Sequence, residues 1–102
     1  MPRGLSIVFV GTTRMRAINK KYLKHDYVTD VLTFDFGEEG GEIIICPHVA
    51  QVNAKARQSS TENEIILYVV HGILHLAGFK DQSPKDEIQM RRMENKIFPS
   101  FV

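Results

Sequence analysis

Tryptophan is absent from this chain of 102 residues, cysteine occurs once and proline four times. The lone Cys46 rules out an internal disulfide and fits a reducing compartment. Its expected role is that of a small apolar residue in a strand, ahead of metal ligation. No stretch approaches the length of a membrane span. The apolar run that follows Met1-Pro2-Arg3-Gly4 is too short for the core and cleavage site of a signal peptide. Net charge is scarce as well, at +1, which argues against a strongly basic nucleic-acid binder but leaves room for a local basic patch. No repeat, low-complexity tract or linker divides the chain. What remains is one small soluble domain over residues 1–102, expected in the cytoplasm, with an ordinary hydrophobic share of 43% and charged share of 25%.

The elements can be read in order. Leu5 to Val10, apolar and β-branched between Gly4 and Gly11, reads as a buried strand. Thr12 or Thr13 is expected to cap a helix reaching about Leu23, with Met15, Ile18 and Tyr22 inward and Arg14, Arg16, Lys20 and Lys21 outward. Val31 to Phe36 alternates as a strand with one covered face, and Glu42 to Cys46 forms another beyond the turn Gly37-Glu38-Glu39-Gly40-Gly41, so these two make a hairpin. Pro47 suits the first turn of a helix from about His48 to Gln58, with Val49, Val52 and Ala56 inward. Thr61 and Glu64 match a capping box for the next helix. Ser83 and Pro84 open a last helix to about Phe98, its core face marked by Met90, Met93 and Ile97. The expectation is an α+β domain of about three strands and four helices.

The chemistry concentrates in His71-Gly72-Ile73-Leu74-His75-Leu76-Ala77-Gly78-Phe79-Lys80-Asp81. On a helix, His71 and His75 lie one turn apart on one face and can share a metal ion. Gly78 is expected to end that helix in the left-handed conformation, sending the chain back so that Asp81 can supply a third ligand. Two imidazoles, a carboxylate and an open position describe a catalytic zinc site better than a closed structural one. The spacing alone recurs by chance in many helices. It gains weight because Glu64, Tyr68, His71 and His75 form a single polar stripe on an otherwise apolar helix, and such a stripe must face a cleft or a ligand.

With these residues in place, the chain resembles the YbeY family of bacterial metal-dependent endoribonucleases that act in ribosomal RNA maturation. The resemblance is carried by Asn-x-x-Tyr at Asn19 to Tyr22, the run Thr29 to Phe34, Gly-Glu-Ile at Gly41 to Ile43, and His-Gly-x-Leu-His-Leu-x-Gly at His71 to Gly78. It implies a small mixed β-sheet packed with helices. It also implies single-stranded RNA, ribosomal RNA and the small ribosomal subunit as partners, and a place in ribosome quality control. Three departures stand out. Asp81 occupies the place of the family's usual third histidine, with Lys80 before it where the family has aspartate. Leu23 stands where an arginine usually follows the tyrosine, and leucine cannot clamp phosphate. The family usually carries a further strand and helix before the point where this chain starts, and lacking them would leave a sheet edge uncovered.

His71, His75, Gly78 and Asp81 also resemble the spacing of metzincin-type zinc peptidases. Those need a glutamate after the first histidine, and here that place is Gly72. Phosphodiester cleavage fits better, with zinc or another divalent transition metal polarising a phosphate oxygen, and with water or the ribose 2′-hydroxyl left open as nucleophile. Lys20, Lys21 and Lys24 are the expected contacts to the RNA backbone, with Thr29 and Asp30 near the cleft. Taken alone, the lysine cluster reads as a solvated helix face, and Asp30 as a cap at the start of a strand. His25 and His48 are expected at the surface. The competing readings are an RNA- or ribosome-associated binding module with weakened catalysis, a zinc hydrolase of another substrate, and a zinc-stabilised structural domain.

Overall fold

The computed structural model describes residues 4–79 and 83–97. Three strands form one sheet: β1 (Leu5–Phe9), β2 (Val31–Asp35) and β3 (Gly41–Ile45). Four helices accompany them: α1 (Thr12–Ile18), α2 (Pro47–Ala56), α3 (Thr61–Leu76) and α4 (Pro84–Ile97). The sheet order is β1-β3-β2. β2 and β3 form the expected antiparallel hairpin, Thr33 opposite Ile43. β1 runs parallel to β3, Ile7 beside Ile43, so the sheet is mixed.

Alternation along the central strand sorts the core into two layers. Ile43 and Ile45 face α2 and α3, where they meet Ala50, Tyr68 and Leu76. Ile44 points the other way and packs with Leu32, Met15 of α1 and Cys46. The helices therefore cover β2 and β3, and the strand expected to be buried is not. Every residue of β1 is exposed, Phe9 to 57%. An apolar run marks a strand, but whether a helix covers it depends on packing elsewhere in the chain.

Several other expectations need correction. α1 ends at Ile18 and gives way to a π-helical turn, Asn19–Leu23. Its wider winding breaks the 3.6-residue phase, so Asn19 turns inward and Tyr22, expected inside, is 59% exposed. The N-cap of α1 is Gly11, with neither threonine side chain capping it. On α2 the buried residues are Ala50 and Ala54, whereas Val52 and Ala56 are exposed and Val49 half-buried. Small residues four apart let α2 approach its neighbours closely, which outweighs the larger area of the valines.

The expected capping box of Thr61 and Glu64 does not form, and the cap of α3 lies one residue earlier. Ser60 is the N-cap of α3, and its Oγ accepts from the backbone N–H of Asn63 at 3.1 Å. α4 packs back against α3, and Met93 is half-buried on it. Met90 and Ile97 lie outside the residues whose side chains are described, as does Phe98. Among the described residues no helix is long and apolar enough to cross a membrane.

Candidate metal centre

α3 brings His71 and His75 together and ends immediately afterwards. The N–H of Gly78 bonds the carbonyl of His75 and that of Phe79 the carbonyl of Leu74, both at 3.0 Å. This is the Schellman pattern, with Gly78 at φ 102° as the sequence predicts. The helix thus ends within three residues of His75. Both histidines are half-buried. Their ring centroids lie 4.6 Å apart with 75° between the planes, and their Nε2 atoms converge to 3.0 Å. A tetrahedral zinc at its usual bond length holds two ligand nitrogens roughly 3.3 Å apart. The pair therefore fits one shared ion with an adjustment of a few tenths of an ångström.

The polar stripe of α3 divides in two. Its N-terminal half does not face a cleft: Glu64 has no solvent exposure and Tyr68 is buried. Both are met by α2, close because of Ala50 and Ala54. Asn53 Nδ2 donates to the Tyr68 hydroxyl at 2.8 Å, and Arg57 Nε lies 3.5 Å from Glu64 Oε1. Asn53 on α2 and Arg57 just past its end thus grip two residues four apart on α3. Burial pushes the Tyr68 phenol up to about 12; the Asn53 hydrogen bond opposes this and the charges of Asp30 and Glu64 add to it. Only the histidine half of the stripe reaches solvent. Sequence reasoning misses Asn53 and Arg57, although their four-residue spacing beside an acidic, tyrosine-bearing helix is the available signal.

Asp81, the expected third ligand, lies outside the described residues, and so does Lys80. Among the described residues no three His, Cys, Asp or Glu side chains converge on one point. Lys20, Lys21 and Lys24 are exposed on and just after the π turn, Lys24 in the left-handed conformation at φ 58°. Thr29 Oγ1 accepts from Asn19 Nδ2 at 3.0 Å, and the same amide donates to the Met15 carbonyl at 3.2 Å. The buried Asn19 therefore ties the π turn to the segment leading into β2. Asp30 Oδ1 accepts from the N–H of Val31 at 2.8 Å, and its carbonyl takes the N–H of Cys46. Its visible contacts are those of a cap at the start of β2. His25 and His48 are exposed.

Gly72 faces the sheet and is buried, with no room there for a side chain. A glutamate at this place, as a peptidase of this spacing requires, would run into Ile43 and Thr33.

Comparison with known proteins identifies relatives of this chain. A relative from Porphyromonas gingivalis, named Endoribonuclease YbeY, is 40% identical over 90% of this chain. Another of that name, from Chlorobium luteolum, is 36% identical over 89%. The chain spans 63% and 69% of the lengths of these two relatives. The solution structure of TM1509 from Thermotoga maritima superposes with a TM-score of 0.64 at 28% identity, covering 95% of this chain and 69% of that one. The family model described as Endoribonuclease YbeY matches residues 2–102. With a family model matched over nearly the whole chain and relatives of this identity, this chain belongs to the Endoribonuclease YbeY family.

Proposed function

We propose that this chain is a metal-dependent endoribonuclease that cuts single-stranded RNA in the cytoplasm, acting on ribosomal RNA during maturation and quality control of the small subunit. The observation that carries the reading is the convergence of the His71 and His75 Nε2 atoms in a chain of this family. The resident ion is a zinc, one per chain, held by His71, His75 and Asp81; another divalent transition metal suits the same donors. Two neutral imidazoles and a carboxylate are donors zinc accepts, and three of them leave one position open. When bound, the ion supplies Lewis-acid stabilisation of charge developing on a phosphoryl oxygen.

The chain's own groups do the rest. The α2 grip on Glu64 and Tyr68 fixes the rotation of α3, and with it the direction in which both imidazoles point. Lys20, Lys21 and Lys24 supply positive charge for the RNA backbone. Asn19, through Thr29, holds that turn against the segment bearing Asp30. Each lysine acts as a point charge, without the bidentate grip an arginine at Leu23 would add.

The test is metal analysis paired with cleavage of a single-stranded RNA, with and without chelator. Metal-loaded protein that cuts RNA, and stops when chelated, supports the reading. Folded, metal-loaded protein that binds RNA but leaves it uncut favours a binding module instead. Cleavage that survives exhaustive chelation points to a contaminating nuclease.

A further inference from the structure

Leu32 and Phe34 of β2 point away from α3, opposite to Thr33, which meets Gly72. Beyond Leu32 this side of the edge strand carries a row of aromatic rings. Phe34 and Phe36 lie nearly parallel, 5° between planes and 6.1 Å between centroids. Tyr22 meets Phe34 edge-on at 5.7 Å, and the Lys21 ammonium sits 5.2 Å from the Tyr22 ring centre. Phe34 is half-buried, but Tyr22 and Phe36 are each more than half exposed.

Such a row is costly to leave in water, since each ring carries a large apolar area. It is also built at some expense. Tyr22 is turned out by a π-helical winding, and the turn closes with a lysine in the left-handed region, both uncommon arrangements that concentrate at functional positions. The surroundings select the occupant. Lys20 and Lys21 are exposed on that turn and Lys24 just after it, and Lys21 lies against the Tyr22 ring, so phosphate-seeking charge adjoins flat apolar faces. Unpaired nucleotides present the matching pattern of a flat ring on a charged backbone, whereas a duplex hides its base faces.

We propose that Tyr22, Phe34 and Phe36 form a stacking platform for the unpaired bases of single-stranded RNA, with the lysines of the π turn taking the adjoining phosphates. This rests on the endoribonuclease reading and adds where the bases are held. Stacking accepts any base, so the platform selects single strands without selecting a sequence.

The chain's lack of tryptophan makes the test direct. Phe36→Trp introduces a single indole into the row. It is titrated, under chelation so that nothing is cut, with a short single-stranded RNA and with an abasic oligomer of equal length and charge. Binding is followed separately by the anisotropy of labelled oligomers, and folding by circular dichroism. The expected result is saturable quenching by RNA and none by the abasic oligomer. Tyr22→Leu and Phe36→Leu should each weaken RNA binding roughly tenfold and leave abasic binding unchanged, while Lys21→Glu weakens both. RNA that binds without quenching overturns the platform and leaves the rings to a protein partner; leucine variants of unchanged affinity, or no RNA binding at all, overturn it equally. The two readings separate cleanly. Metal-dependent cleavage without quenching rejects the platform alone, and quenching without cleavage rejects the endonuclease alone.

Discussion

A Cβ placed on Gly72 would stand 2.7 Å from Cδ1 and 2.9 Å from Cγ1 of Ile43, a fully buried residue in the middle of the central strand. The same atom would touch Thr33 Oγ1 at 3.0 Å. The residue between the histidine pair is therefore set by how closely α3 approaches the sheet. Gly72→Ala gains roughly 1 kcal/mol in helix propensity and meets an overpacking penalty of roughly 1–3 kcal/mol. A net loss of up to about 2 kcal/mol is expected in urea unfolding. Adding Ile43→Val, which removes the δ-methyl, should recover part of it and show as coupling in a double-mutant cycle. A Gly72→Ala chain stabilised by the full helix-propensity gain of about 1 kcal/mol would remove the steric account.

Tyr68 makes stability depend on pH at the alkaline end. Its phenol is raised to about 12 in the fold, against about 10 in an unfolded chain. Between these values the folded chain keeps a proton that the unfolded chain has lost. The contribution is therefore fully present below about pH 10 and disappears as pH climbs towards 12, a loss on the order of 2 kcal/mol. Tyr68→Phe should flatten this part of the profile. Below about pH 10 it should also cost about 1 kcal/mol, because Asn53 is left without its acceptor, and this difference should shrink or reverse as pH nears 12. Urea midpoints measured across the alkaline range read both effects.

Metal content tests the histidine pair. The parent chain is expected to hold one transition-metal ion, and a His71→Ala, His75→Ala double variant none, by elemental analysis after desalting. Asp81→His should tighten zinc in a chelator competition, because imidazole is the softer donor. Weaker binding would mean that the carboxylate is not standing in for a histidine.

Leu23 is exposed at the end of the π turn. Leu23→Arg should raise RNA cleavage if this position faces the phosphate, since guanidinium can grip it bidentately. Charge reversal at Lys20, Lys21 and Lys24 should do the opposite. The salt dependence of RNA binding should flatten, its log–log slope falling by about 1 for each phosphate that no longer meets a lysine. Unchanged slopes would place the RNA on another surface.

Local signals are legible in the sequence and their tertiary setting is not. Gly78 announces its own role, because a helix stop with left-handed backbone is a property of one residue and its neighbours. The His71–His75 pair is readable for the same reason, as one helical turn fixes both. Tyr22 is misplaced by any reading that extends α winding through Asn19, and nothing in five residues of sequence marks a π turn. The α2 face is misjudged when the area of Val52 is weighed above the smallness of Ala50 and Ala54. The composition of β1 describes what a strand prefers to touch, while the touching elements are chosen by the rest of the fold. Its parallel pairing is suggested only by the family resemblance, for the residues of Leu5–Phe9 suit either direction.

Cys46, the only thiol in the chain, is fully buried where β3 passes into α2. Thiol-directed probes applied to the native protein therefore meet an empty background. A cysteine introduced at an exposed position such as Lys24 or Gln51 would be labelled alone, with the natural residue left in place. A nitroxide at that position and a paramagnetic ion on the histidine pair would form a two-point ruler. The spacing between the lysine-bearing turn and the metal can thus be measured in solution, in a protein whose core has not been altered to permit it.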